Sequence, residues 1–213
     1  MTTVDAMRAQ FLAGADVVLA AISDERVAAA WEHDSILEGQ TVGGLAAHLA
    51  RGGVWVVGDY LDLEVPPSDL DFEDAPHYYA QIIDGLTESD HAGVRSRGAV
   101  IAAQGRDAVV AQLAGRIDAL RERLPHEPPE RVLSVYAGKT MRLDDYLVTR
   151  LVEQVVHLDD LARSLGIEPW PNPPGADALV IACGADVGRL RRGATAMIRA
   201  LYRDGTAGTL PVL

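Results

Sequence analysis

From Asp144 to Leu165 the chain reads as one long helix, closed by Gly166 where a left-handed residue commonly ends a helix. What constrains the fold is that this helix has two polar faces. At about 100° per residue, with Tyr146 taken as zero, Arg150 falls near +40°, Glu153 near −20°, His157 near +20°, Asp160 near −40° and Ser164 near zero. A polar stripe about 80° wide therefore runs its whole length. Asp159 and Arg163 lie on the far side, four residues apart, with the spacing of a solvent-side pair. A helix with water on one face and a second polar face opposite fits a bundle whose interior holds a polar site.

The rest of the chain supplies the partners for such a bundle. Val4, Met7, Phe11, Val18 and Ile22 recur at helical spacing, and Thr2 and Asp5 are spaced like a capping box. After Trp31 and a turn at 37–40, Thr41 is a natural N-cap for a second helix reaching Leu61. Pro66-Pro67 and the acidic run 69–74 read as an exposed loop. A third helical region begins near His77 and pauses at Thr87, which forms a second capping box with Asp90. It then runs to about Leu124, before Pro125. Residues 131–136 and 140–143 flank Gly138 with the spacing of a short hairpin. Residues 169–174 form a proline-stiffened linker, and 176–203 a fifth helix. The expected fold is all-α: a four-helix bundle with an additional C-terminal helix and a short β-hairpin. Residues 1–166 form the bundle, and 167–213 the linker, C-terminal helix and tail packed on it.

Composition excludes several classes. Nineteen basic against thirty-one acidic residues give a formal net charge of −12, which opposes a duplex-DNA or anionic-membrane partner. The single cysteine, Cys183, rules out an intramolecular disulfide and a cysteine metal cage. The N-terminus has no basic segment followed by an apolar one, and no uninterrupted apolar stretch is long enough for a membrane span. A cytoplasmic domain is expected. Lys139 is the only lysine, which with the alanine and glycine richness hints at a GC-rich genome.

Glu153 and His157, as i and i+4, emerge from the same face one turn apart and can reach one divalent ion. A zinc-class ion needs a third ligand, and His48 is the candidate. Its helix carries Gly43, Gly44, Gly52, Gly53 and Gly58, each costing about 1 kcal/mol relative to alanine in a helix interior. Close helix approach or a cavity beside His48 accounts for such a cost. Two histidines and one glutamate suit Zn²⁺, or Ni²⁺, with a coordination position left open. The same residues also admit plainer readings: an i,i+4 surface pair, a hydrogen-bonded core histidine, an Arg150–Glu153 ion pair, and Trp31 and Trp55 as packing residues. Cys183, in an apolar stretch, reads as an inert small hydrophobe.

Two segments carry a family resemblance. WEHDSILEGQTVGGLAAHLARG (31–52) holds a tryptophan, a turn, Thr-Val and Leu-x-x-His-Leu. YLVTRLVEQVVHLDDLARSLG (146–166) holds Arg-x-x-Glu-x-x-x-His-x-x-Asp-Leu-Ala-x-x-Leu-Gly. Together they resemble the DinB-like superfamily, and within it the metal-binding N-terminal domain of mycothiol-dependent maleylpyruvate isomerase. The resemblance implies a four-helix bundle with His48, Glu153 and His157 as metal ligands. It implies a metal-dependent thiol S-transferase or thiol-dependent isomerase, with mycothiol as the thiol, a small electrophile as its partner and an actinobacterial source.

On the polar stripe, Arg150 is a candidate to orient a substrate carboxylate and Asp160 to fix the His157 ring. Trp55 and Tyr146 are candidates to touch substrate. The isomerase carries a further mixed α/β domain, whereas 56 residues follow His157 here, so maleylpyruvate isomerisation itself is not carried over. Arg189, Arg191, Arg192, Arg199 and Arg203 read as a solvated helix face or as a site for an anion. Two alternatives stand beside the thiol reading: a metal-dependent hydrolase using metal-bound hydroxide, and a non-catalytic stress protein that binds a metal or small molecule. Monomer and homodimer are both open.

Overall fold

The computed structural model describes residues 3–64 and 69–203. Thr2, the Pro66-Pro67 pair and the tail beyond 203 lie outside the described residues. Helix α1 spans Thr3–Ser23, α2 Glu25–Ala29, α3 Val42–Ala50 and α4 Val56–Leu61. Then come α5 (Ala75–Ile82), α6 (Glu88–Ala102) and α7 (Arg106–Arg123). Strands β1 (Val132–Ser134) and β2 (Thr140–Arg142) lead into α8 (Leu143–Leu165), followed by α9 (Ala176–Arg192) and α10 (Ala194–Tyr202).

The bundle is built on α1, α3 with its continuation α4, α7 and α8. Helix α1 is long and apolar enough to cross a membrane by length and composition alone. Its apolar stripe is taken up inside the protein: Phe11, Ala15, Val18 and Ile22 have no exposed surface, and α7 and α8 pack against it. Arg8, near its start, is a buried clamp. The guanidinium binds both oxygens of Asp144 and donates to the carbonyls of Leu124, Glu127 and Pro128. It thereby fastens α1 to the chain leaving α7 and to the first turn of α8.

Local chemistry sets several boundaries. Thr41 caps α3 by accepting from the Gly44 N–H at 3.0 Å, and Thr87 with Asp90 forms a complete capping box on α6. Gly166 ends α8 in the left-handed region at φ 64°. The hairpin forms with Leu133 opposite Met141.

Three expected helices differ in detail. The second is continuous from Val42 to Leu61 but contains a π turn at Arg51–Trp55. The expected helix from Thr87 to Leu124 is two helices, broken before Gly105 at φ 86°. The break lets α6 pack along α3 while α7 returns along α1. The expected fifth helix likewise breaks at Gly193, φ 86°, into α9 and α10. Helix α9 packs on α5 and α8, and its Ala176, Cys183 and Val187 join the main core.

Candidate metal centre

Helix α8 delivers Glu153 and His157, and α3 delivers His48, to one place. One ligand atom from each lies within 4.8 Å of the others. His48 Nε2 is 3.7 Å and His157 Nε2 3.5 Å from Glu153 Oε2. The imidazole rings meet edge to face, centroids 4.9 Å apart. All three side chains are about one-fifth exposed, so the cluster is sheltered yet reachable.

Packing explains how α3 brings His48 so close. A Cβ on Gly43 would lie 2.6 Å from the Trp31 ring, and a Cβ on Gly98 of α6 would lie 2.8 Å from the Gly44 carbonyl oxygen. Bare backbone at both positions lets Trp31 and α6 close on α3. Gly52 lies beside the His48 ring, whose Cε1 would be in ordinary contact, 3.4 Å, with a Cβ there.

The polar stripe of α8 is spent residue by residue. The Nδ1 of His157 is 3.0 Å from Asp160 Oδ2, which leaves Nε2 for the cluster. Ser164 donates to the Asp160 carbonyl at 2.7 Å and accepts from the Ile36 N–H at 3.0 Å, tying the stripe to the loop before α3. Asp159 and Arg163 face solvent 4.0 Å apart. Arg150 makes no hydrogen bond to Glu153. Its Nη1 donates to the Gly52 carbonyl at 2.8 Å, its Nε to Thr149 Oγ1 at 3.0 Å, and its guanidinium lies over the Tyr146 ring at 4.6 Å. Gln154 donates to the neighbouring Gly53 carbonyl at 3.0 Å. The π turn after His48 is therefore held to α8 by two side chains.

Electrostatics follow from this crowding. Burial works against the Glu153 carboxylate, but the His157 and His48 rings, 3.5 and 3.7 Å away, and the charge of Arg150 hold its pKa well below the usual range. Burial likewise disfavours a charged His157, yet Asp160 and Glu153 push its pKa up to about 9. In the absence of a cation these two carboxylates favour the protonated form of His157.

A cavity of about 310 Å³ opens beside Glu153 and His157, walled by Ile83, Leu86, Val152 and Val156, with Tyr79 and His91 also lining it. The Tyr79 hydroxyl donates to the Thr149 carbonyl at 3.0 Å and lies 3.4 Å from Glu153 Oε1. Tyr79 and His91 escape sequence reasoning, because no spacing in the chain relates α5 or α6 to α8. Arg150, Trp55 and Tyr146, candidates for substrate contact, do not line this cavity. Each is at most 7% exposed, and Tyr146 packs against Tyr60 and Tyr78. Two turns separate Tyr146 from Glu153, which carries it below the site into the core. The C-terminal arginines do not line the cavity either, and Arg189 pairs with Asp186 at 2.8 Å. Cys183 is buried, and burial pushes its thiol up to about 11, so it is a packing residue.

The donor set passes a simple fit test. Bonds of about 2.0–2.1 Å at a tetrahedral ion place ligand atoms about 3.3 Å apart. The two distances to Glu153, 3.5 and 3.7 Å, need only a slight contraction, and the two imidazole nitrogens, within 4.8 Å of each other, must close further by rotation of the rings. Fold and site together define a helical bundle with an interhelical His/Glu cluster beside an open cavity. The chain belongs to the family of the mycothiol maleylpyruvate isomerase N-terminal domain, whose model matches residues 12–162. Neither the curated proteins nor the solved structures give a significant match.

Proposed function

We propose that this protein is a metal-dependent enzyme that activates a small-molecule thiol, mycothiol, for transfer to or isomerisation of a small electrophile. The observation that carries this reading is the convergence of His48, Glu153 and His157 at the wall of an apolar cavity. These three residues would hold the ion, Zn²⁺ in preference to Ni²⁺ because a sulfur donor suits it. A divalent cation there supplies a lowered pKa to a bound thiol.

The chain's own groups do the rest. Asp160 accepts the Nδ1 proton of His157 and so fixes the tautomer whose Nε2 faces the cluster. Arg150 offsets the charge of Glu153 from behind and anchors the π turn next to His48. It is a positioning residue. Tyr79 limits how far the Glu153 carboxylate can turn. Ile83, Leu86, Val152 and Val156 exclude water and receive an apolar part of the reactants. Family membership supports the choice of mycothiol as the thiol.

The test uses protein purified without a histidine tag. It should bind one zinc ion per chain, and His48→Ala and His157→Ala should each abolish that binding. With zinc and mycothiol present it should consume a chromogenic electrophile and form the S-conjugate. Consumption of the electrophile at the same rate without thiol would support a hydrolase instead. No turnover with either, and no zinc bound, would refute the reading.

A further inference from the structure

The cluster has two flanks of opposite character. Beyond Glu153 and His157 lies the apolar cavity. Beside His48 lies a notch of about 40 Å³, bounded by His48, Arg51, Gly52, Val94, Arg97 and Gly98. Arg51 opens the π turn three residues after His48. Arg97 comes from α6, brought in by the close crossing at Gly98, where a Cβ would sit 3.6 Å from the His48 Cβ. Two elements far apart in sequence thus bring two arginines to line one notch beside His48.

Neither guanidinium forms a hydrogen bond or ion pair with a described residue. That is unusual in a chain with thirty-one acidic residues against nineteen basic ones. Arg8, Arg106, Arg116, Arg121 and Arg123 all find carboxylates. Two arginines lining one notch without a carboxylate partner give it a positive charge that favours an anion. Guanidinium groups match the planar geometry of a carboxylate, which they can grip with paired hydrogen bonds. Gly52 and Gly98 add no side chains to fill the notch. Its size admits a head group only, and His48, a member of the cluster, forms one of its walls.

We propose that Arg51 and Arg97 form an anion subsite that holds the carboxylate of a small organic acid, with the rest of the molecule directed toward the His48–Glu153–His157 cluster. That this acid is the electrophile rests on the proposed function; the arginine subsite does not. The substrate class is then a carboxylate with an apolar body, held at one end by Arg51 and Arg97 and at the other by the cavity walls.

The probes are 3-phenylpropionate, its neutral amide and inorganic phosphate, titrated calorimetrically into metal-free and zinc-loaded protein. Metal-free protein should bind the carboxylate at least about tenfold more tightly than the amide, the scale of a charge-assisted hydrogen bond. Arg51→Gln and Arg97→Gln should each erase about tenfold of that preference, leaving zinc stoichiometry and the circular dichroism spectrum unchanged. Equal binding of acid and amide, no measurable binding of the acid, or variants that bind as the parent does would overturn the subsite. Phosphate binding more tightly than the carboxylate would overturn the assignment of ligand class. If the parent binds no zinc while the carboxylate preference and its loss in the variants persist, the metal reading fails and the subsite stands.

Discussion

Asp160 decides which nitrogen of His157 carries a proton, and the cluster depends on that choice. Asp160→Asn keeps the shape but can present an amide N–H to Nδ1, favouring the tautomer whose proton sits on Nε2. Zinc affinity should then fall by about 10–100-fold, measured by competition with a chromophoric chelator, with the fold retained. The raised pKa of His157 also predicts a pH dependence for the metal-free protein. The folded value of about 9 exceeds the ordinary 6.5. The imidazolium's contribution to stability is therefore complete below 6.5 and is lost as pH rises through 9. Urea midpoints of metal-free protein should decline across that window, and His157→Ala should flatten the decline. A profile unchanged by the substitution would contradict the assignment. At this scale the sequence is most readable where geometry is local. Glu153, His157 and Asp160 share a helix face, so their spacing places them together. Tyr79 and Arg97 come near the cluster only through helix crossings, which no local pattern encodes.

Among the elements, the π turn after His48 has the largest effect on the site. π turns loosen the regular helix ladder and are common near functional residues. Here the carbonyls of Gly52 and Gly53 accept from Arg150 and Gln154 of α8. Arg150→Met should leave the Gly52 carbonyl without this donor and remove the positive charge that favours the Glu153 carboxylate. Removing a charged donor from a buried carbonyl costs about 1–3 kcal/mol, which a denaturant titration would read directly. A loss below about 1 kcal/mol, the scale of an exposed pair, would show that Arg150 is not the anchor described. The helix breaks show where sequence patterns stop being informative. Gly98 and Gly115 lie inside α6 and α7, yet Gly105 between them takes φ 86° and ends the run. In the sequence all three are glycines with an arginine beside them. What singles out Gly105 is the need for α7 to turn back onto α1, a tertiary demand.

Across the whole molecule, the cluster joins helices α3 and α8, which come from opposite halves of the chain. An ion bound there would act as a cross-link between them. Binding to the folded state alone stabilises by about 4 kcal/mol at a thousandfold excess over Kd. For a chain of this size that corresponds to a rise of about 8–16 °C in melting temperature. Zinc should produce such a shift in the parent and none in His48→Ala, and a chelator should reverse it; equal shifts in both proteins would place the ion elsewhere. The bundle architecture itself is legible from helix lengths and caps, because four long amphipathic segments with short connections have few other ways to bury their stripes. Which helix neighbours which is not legible, and α6 against α3 is the clearest case.

The Arg8 clamp has a practical consequence for anyone excising the domain. Residues 12–162 are those the family model covers, and Arg8 lies upstream of them. A fragment cut at those limits would take the guanidinium from Asp144 and from the Glu127 carbonyl, and would leave the Leu124 and Pro128 carbonyls with only the backbone donors of Glu127 and Arg131. The boundary that similarity suggests is therefore tighter than the one the hydrogen bonds require.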